Sequence, residues 1–405
     1  MADSAAIALP RVDIVIPALD EEQTIADCVR AIKQQDYPAN LVSLYVVIDA
    51  RTSDRTAAVA QASGATVIEC ATSGTAAVRT RGVQQGSAEL VGFLDAHCIV
   101  TPGWLKSMVQ PFADESIGGC QGPLDVTYES KLVERFAQCS AFAGDQRLRD
   151  HTVNGLFSPY PWLLGGNCIF RRRALQAAGA FRNCSSEDTD CSWSVFLLGY
   201  QFAYVPAARA LHHDRASIWD YLKKHYRHGV GAAQLAYSYG FGGKRPEKEK
   251  STSFEALLLD LLYQAGSFAE RGRQRCGKIT LPKRSPRPVE DRFRPRSLWS
   301  TEIELQISPY AVHWSSGDDQ TVVVHLQCAT RLVLDGVGNL IFRQLANGSD
   351  RMSTCQAIEA RYQTATASVQ SDVDCFIEEL WRENLLLMHK NGVLAEPEKS
   401  AQSNS

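Results

Sequence analysis

Asp95-Ala96-His97 follows directly on an apolar run, Leu90–Leu94. A carboxylate and an imidazole on either side of one small residue, at a strand-to-loop turn, can converge on one cation. The mixed donor set suits Mn²⁺ or Zn²⁺ better than an all-oxygen Mg²⁺ site does. A loop carboxylate beside a surface histidine is the competing reading, and three further stretches weigh against it. Glu187-Asp188-Thr189-Asp190 puts three acids into four residues at a helix start. Capping and the helix dipole account for part of that pattern, and one of these acids can serve as a general base. Trp162–Asn167 reads WLLGGN, where Gly165 and Gly166 let backbone approach a ligand closely. His212-His213-Asp214 follows an extended stretch, and a histidine there can complete a metal shell or stand as a surface residue.

These residues need a scaffold, and the hydrophobic pattern supplies one. Arg11–Pro17, Leu44–Ile48, Ala65–Ile68 and Leu90–Leu94 read as buried strands. Between them, Thr24 opens a helix as in a capping box with Asp27, and Thr52–Ala60 and Thr75–Gln84 read as helices. Alternation at this spacing predicts a three-layer α/β sandwich. Ligands in such sheets bind beyond the carboxyl ends of the strands, which singles out Asp20–Glu22, Asp49–Asp54 and Asp95–His97. Further on, Gly118–Val126, Asn167–Phe170 and Phe202–Val205 read as strands, with helices over Trp104–Pro111, Arg173–Ala178, Thr189–Leu198 and Ile218–Tyr237. Phe157–Gly166 reads as a loop.

The remainder of the chain changes character. Phe254–Phe268 is apolar but carries Glu255, Asp260 and Gln264, and reads as a core or interface helix, with a membrane-surface helix as the alternative. Residues 271–296 hold ten Arg or Lys and four prolines without fold-forming periodicity, the mark of an exposed linker. From Thr301, strands at Ala311–Trp314 and Thr321–Leu326 are joined through Ser316–Asp319. Helices follow at Gly336–Leu345, Thr354–Tyr362 and Val369–Glu383, then an apolar strand or tail at Leu385–Met388. This unit holds no cluster of catalytic residue types, which points to binding.

Bulk properties narrow the class. At 405 residues two domains are expected, and a net charge of −3 offers no field to attract nucleic acid. The 12 cysteines show no CxxC pair, as expected of reduced thiols in a cytoplasmic protein. MADSAAIALP has no basic region or long apolar core, so it does not read as a secretory signal, and no run reaches the ~20 apolar residues of a membrane span. PALDEE after the first strand is not the Gly-rich turn of a dinucleotide-binding dehydrogenase.

With these residues in view, Val12–Gly231 resembles the family 2 glycosyltransferases of GT-A fold. IVIPALDEEQTI resembles their donor-binding first strand and loop, with Asp20 in place of the usual asparagine; VIDARTSDRT resembles the second donor-binding segment. The resemblance implies that Pro17, Ala18, Asp20, Glu22 and Asp95 border the donor, that Asp49 contacts the base with Asp54 in support, and that Arg79 in VRTRG lies near the diphosphate. FLDAH matches the metal position, where the family more often has a second aspartate than His97. DAHC followed by Gly103-Trp104-Leu105 is also similar to the polypeptide N-acetylgalactosaminyltransferases, which retain configuration. EDTD matches the inverting family better and implies Asp188 as catalytic base, with Glu187 beside it. The family's later histidine falls on His212, with His213 as neighbouring substitute. Mn²⁺ is the ion expected, Mg²⁺ the alternative, and a UDP-linked sugar the expected donor. Trp162, Gly165, Gly166 and Asn167 are expected to border sugar and acceptor. His225, Arg227 and His228 read either as covering the diphosphate or as surface residues.

Glu304–Lys390 resembles the PqqD-like domains, winged-helix modules that bind leaders of ribosomally made precursor peptides. Leu334–Asn339 leading into Ile341-Phe342, the Thr354–Tyr362 helix and ELWRENLLL carry the likeness. A leader bound this way would add a strand to a sheet edge, with Thr321–Leu326 and the helix near Val373 as groove walls. The organisation expected is a GT-A domain over 10–240, a helical extension over 241–270, a basic linker over 271–300 and a leader-binding domain over 301–392. The function expected is inverting transfer to Ser/Thr oxygen or Cys sulfur of a precursor peptide, without membrane insertion. The alternatives are a transferase acting on a glycan, lipid carrier or small metabolite, and a noncatalytic sugar-nucleotide or peptide binder.

Overall fold

The computed structural model describes residues 9–139, 160–240, 253–278, 281–284, 296–315, 319–325, 331–363, 366–391 and 393–395. The chain divides into two compact units, with the main boundary between residues 285 and 286.

The first unit is built on a seven-stranded sheet. Its strands are β1 (Val12–Ala18), β2 (Val42–Ile48), β3 (Thr66–Glu69), β4 (Leu90–Leu94), β6 (Ile117–Gln121), β8 (Asn167–Arg171) and β9 (Gln201–Tyr204), in the order β3-β2-β1-β4-β8-β6-β9. The first four run parallel, whereas β8 is antiparallel to both β4 and β6. Every residue of β4 is buried, so both sheet faces are covered, as its unbroken apolar sequence requires. Asp13, the one charge in β1, is buried with Arg172. It accepts hydrogen bonds from that guanidinium and from the Ala88 amide, so the charge is paired rather than stranded.

Three short strands form a second sheet in the order β5 (Cys98–Val100), β10 (Ala210–Asp214), β7 (Leu124–Tyr128). The stretch expected as one strand over Gly118–Val126 is therefore two, β6 and β7, in different sheets. Gly122-Pro123 marks the change; a Cβ on Gly122 would overlap the Ala208 carbonyl, so only glycine passes there. The helices are α1 (Ile25–Lys33), α2 (Thr56–Ala62), α3 (Thr75–Gln85), α4 (Trp104–Val109), α5 (Lys131–Gln138), α6 (Arg172–Ala178), α7 (Glu187–Phe196), α8 (Ile218–Tyr239) and α9 (Phe254–Arg275). Two helix starts differ from expectation. Thr24 makes no cap bond to α1; its hydroxyl donates to the Glu21 carboxylate instead, 2.7 Å. Residues 52–55 are loop, because Asp54 turns back to accept from the Thr56 amide, 2.9 Å, and delays α2.

In the second unit, β11 (Arg296–Leu298), β12 (Ile303–Ile307), β16 (Leu386–Lys390) and β17 (Val393–Ala395) form one sheet. β13 (Ala311–Ser315), β14 (Gln320–His325) and β15 (Arg331–Asp335) form another. Helices α10 (Gly336–Ala346), α11 (Arg351–Tyr362) and α12 (Thr366–Arg382) pack on them around Phe342, Ile358, Val373, Leu380, Leu305 and Leu386. β14 has a strand on each side, so it is no sheet edge, and Val373 itself lies inside the core. The stretch expected as linker is partly structured, since α9 runs to Arg275 and Arg296–Leu298 pair with β12. Residues 285–295 of that stretch, with 241–252, residues 157–159 of the expected loop, residues 316–318 of the expected turn and Leu326, lie outside the described residues.

Candidate active site

Asp95 follows β4 directly, and His97 leads into β5. β10 pairs antiparallel with β5 and sets His212 opposite Cys98, with the His213 amide bonded to the His97 carbonyl, 3.2 Å. This pairing brings His212 to His97 across 115 residues of chain. His97 Nε2 and His212 Nε2 stand 2.9 Å apart with rings nearly perpendicular, 88°, and His212 Nε2 lies 3.8 Å from Asp95 Oδ2. Among the described residues this is the one group of three such ligands, with one atom from each lying within 4.8 Å of the others. Two nitrogens each about 2.1 Å from one ion and at right angles lie about 3.0 Å apart, so the spacing fits a shared cation. His213 points elsewhere: its Nδ1 meets Thr127 Oγ1 at 2.9 Å. Of the two adjacent histidines, His212 is thus the one in the cluster.

Glu21, inside the Asp20–Glu22 loop but given no role of its own by the sequence, is the partner that orients His97. Its Oε1 meets His97 Nδ1 at 2.9 Å, which leaves Nε2 to face the cluster. Arg215 and Thr24 hold the other Glu21 oxygen. Burial opposes charge on His97, but the Glu21 hydrogen bond and the Asp95 and Glu21 charges outweigh it and hold its pKa above the usual value. Burial, opposed by Asp95 and reinforced by His97, keeps His212 below the usual value. For Asp95, burial favours the neutral acid, but Arg79, His97, His212 and Lys224 together prevail and lower its pKa. Lys224, an exposed residue of α8 that pattern reading passed over, therefore belongs to this neighbourhood.

Arg79, buried in α3, ties the cluster to the acid-rich helix start. Its Nη1 donates to Glu187 Oε1 at 2.8 Å, and Nη2 lies 3.5 Å from Asp95 Oδ1. Burial raises the Glu187 pKa, partly countered by Arg79 and reinforced by Asp188. Asp188 Oδ1 accepts from the Thr189 amide, 2.7 Å, and Oδ2 lies 3.4 Å from the Gly165 amide. The third acid, Asp190, is fully buried and bound by Arg182 and the Tyr239 hydroxyl, 2.8 Å each.

The WLLGGN loop owes its glycines to this convergence. A Cβ on Gly165 would stand 2.3 Å from Arg79 Nη2, and one on Gly166 2.6 Å from Asp95 Oδ2. Trp162 is half-buried at the start of the loop. Asn167 does not border a ligand. It is fully buried, accepts from Trp104 Nε1, 2.8 Å, and donates to the Pro123 and Ala208 carbonyls.

At the carboxyl ends of β1 and β2 the acids divide. Buried Asp49 accepts from the Arg51 side chain and from the Gly74 amide, 2.7 Å; the Arg51 bonds, then the backbone donors, outweigh burial and lower its pKa to about 2. Gly74 sits at φ 106°, a conformation other residues resist. Pro17 and Ala18 shape the edge, and the Ala18 carbonyl accepts the Asp49 amide. Asp20, Glu22 and Asp54 bind the two loops to each other instead of facing the cluster. Asp20 accepts from the Ser53 amide, 2.8 Å, Glu22 from the Arg55 amide, 3.1 Å, and Asp54 from the Glu22 amide, 3.0 Å. Asp20 has φ 54°, tolerated best by Asn, Asp and glycine, which explains how Asp20 stands where the family has asparagine. His225 is a core residue, buried with Nδ1 on the Tyr221 carbonyl.

A parallel sheet ending in acids, beside a small second sheet whose antiparallel β5 and β10 bring two histidines to Asp95, is the architecture of a GT-A sugar-nucleotide transferase. Residues 10–231 match the family model described as Glycosyltransferase like family 2, and residues 320–386 match that of Coenzyme PQQ synthesis protein D (PqqD). The first match spans more than half of the chain, and the chain belongs to that family of nucleotide-sugar-dependent glycosyltransferases, with a C-terminal PqqD domain. It is 24% identical over 237 residues to glycosyltransferase AglE of Haloferax volcanii, covering 56% of this chain and 74% of that one. It is 26% identical over 261 residues to the pre-mycofactocin glycosyltransferase of Mycobacterium tuberculosis, covering 60% of this chain and about half, 53%, of that one. Among solved structures it is similar to mannosyltransferase PcManGT from Pyrobaculum calidifontis in complex with GDP-Man and Mn²⁺, with 18% identity, TM-score 0.46, and 67% of this chain and 77% of that one covered. It is also similar to S. aureus TarS 1–349 in complex with UDP-GlcNAc, with 15% identity, TM-score 0.42, and coverage of 67% and 76%.

Proposed function

We propose that this glycosyltransferase is metal-dependent and inverting, and that it glycosylates a ribosomally made precursor peptide on Ser/Thr oxygen or Cys sulfur. One observation carries the catalytic reading: buried Arg79 contacts both Asp95 and Glu187, so the cation-type cluster and the acid pair face one place. Asp95, His97 and His212 would hold the ion, Mn²⁺ in this reading; when bound, it would offset charge on the departing diphosphate. Asp49 contacts the donor base, UDP-linked in this reading, with Pro17 and Ala18 at the pocket edge. Asp188 takes the proton from the acceptor as that nucleophile attacks the anomeric carbon from the face opposite the leaving group, and one displacement inverts configuration. Glu187 keeps Arg79 in place between the two groups. Gly165, Gly166 and Trp162 border the sugar and acceptor. Thiol attack needs less help from Asp188 than hydroxyl attack, because the thiolate is more accessible.

The PqqD domain supports a peptide acceptor, and so does a relative named for pre-mycofactocin. A leader strand would add beside β15, whose Arg331 and Val333 are exposed, since β14 has both neighbours. Tethering then raises the local concentration of the core peptide. The name pre-mycofactocin also favours a second reading, in which the acceptor is a small peptide-derived product already free of its leader.

The test is to incubate the protein with short peptides encoded near its gene and a panel of nucleotide sugars. Mass spectrometry reads the product, and NMR its anomeric configuration. Chelation should stop transfer and Mn²⁺ restore it. Asp188→Asn should lower turnover at least 10²-fold with donor binding kept. Transfer that persists under chelation, or a product with the donor's anomeric configuration, overturns the corresponding part. Equal modification of leader-bearing and leaderless acceptors favours the second reading.

A further inference from the structure

Helix α9 carries an apolar face that stands exposed. Phe254, Leu257, Leu261 and Phe268 are 70%, 59%, 65% and 78% exposed, at spacings that put them on one side of the helix. A core or interface role accounts for its other side, where Leu259, Tyr263 and Gly266 are buried. The acids of α9 are turned away from the exposed face: Glu255 and Glu270 are buried and paired with Arg135 and Arg273, and Asp260 is half-buried. Beyond Phe268 the exposed positions become basic, with Arg271, Arg275 and Lys278. The first turn of α8 shares an apolar cluster with α9, through Ile218, Leu222, Leu258 and Leu259, and its Trp219 is 71% exposed.

We infer that this face docks on an anionic lipid surface, with α9 lying in the plane of the interface. No helix among the described residues is long and apolar enough to cross a membrane, so the interaction is peripheral. Large apolar side chains of α9 followed by exposed cations, without an exposed acid on the described residues of that helix, match the layered chemistry of such a surface, acyl chains beneath anionic headgroups. An exposed tryptophan on the neighbouring helix start suits the headgroup level. A second copy of the chain fits less well: packed parallel it would bring Arg271, Arg275 and Lys278 together without acids to meet them, and packed antiparallel it would set those cations against the apolar Phe254–Leu261 end.

The full chain is mixed with sucrose-loaded vesicles of phosphatidylcholine, with and without phosphatidylglycerol, and sedimented. The expected result is binding to the anionic vesicles that weakens with added salt. Leu257→Glu with Leu261→Glu should weaken it about ten-fold or more, and Arg271→Gln with Arg275→Gln about five-fold per residue on anionic vesicles alone. Both variants should keep wild-type thermal stability and soluble transfer activity, because these side chains are exposed and remote from Asp95 in sequence and element. Absence of sedimentation, or equal sedimentation of the leucine variant, overturns the inference. So does a dimer that the leucine variant converts to monomer, because a second copy then covers the face.

Discussion

His97 can offer Nε2 to the cluster because Glu21 occupies Nδ1, and Glu21 is itself held by Arg215. Such carboxylate partners typically contribute 10–100-fold in metal affinity. Glu21→Gln is therefore expected to weaken Mn²⁺ binding by about that factor in calorimetry, with the fold intact. Asp49 answers to pH in a different way. Its folded pKa of about 2 lies below the ordinary aspartate value, so the Arg51 and Gly74 pairings stabilise fully above pH about 4 and are lost as pH falls through about 2. Thermal denaturation of wild type and Asp49→Asn should differ at pH 5 and converge across that window. At this scale Asp95, His97, His212, Asp188 and Arg79 all stand out in the sequence within recognisable phrases, and the fold gathers them: Asp95, His97 and His212 form one cluster, and Arg79 reaches from Asp95 to Glu187, next to Asp188. Sequence reading singled out the Asp20–Glu22 loop but gave Glu21 no role of its own, since one glutamate in DEEQ looks like another until the loop turns. It also misjudged Asn167, whose position in WLLGGN suggests a ligand although Trp104 and two carbonyls engage its amide.

The elements place these side chains by register. β10 between β5 and β7 brings His212 opposite Cys98, and a slip of one residue would present His213 instead. Helices α8 and α9 are held together where glycines meet backbone: a Cβ on Gly229 would stand 1.9 Å from the Tyr263 carbonyl oxygen, and one on Gly266 2.1 Å from that of Tyr226. Gly229→Val or Gly266→Val should cost about 3 kcal/mol or more, seen as a lower melting temperature, because backbone rather than a flexible side chain must give way. Strands with continuous apolar runs were legible in sequence, whereas the split of Gly118–Val126 into β6 and β7 was not. Hydrophobic pattern alone does not say which sheet a strand joins.

At the scale of the whole molecule, each unit has its own apolar core, one around Ile14, Ile16 and Leu94 and the other around Phe342, Val373 and Leu380. Removing residues 286–405 should leave a folded first unit that still hydrolyses donor but modifies precursor peptide poorly. Loss of donor hydrolysis together with peptide modification would show that the second unit supports the fold rather than capturing a leader. Circular dichroism and paired hydrolysis and transfer assays separate the two outcomes. The described cysteines are free, in keeping with a core large enough to do without disulfides.

The order of apolar runs, the acids that end them and the change of composition after residue 300 were determined by the sequence alone. They are local properties, and local propensity with periodicity is enough to express them. Which histidine joins Asp95, which glutamate steers His97, and which face of α9 is left uncovered were decided only when segments far apart in the chain packed together. Those choices depend on strand register and on space beside Gly165 and Gly166, quantities that exist only between elements and not within one.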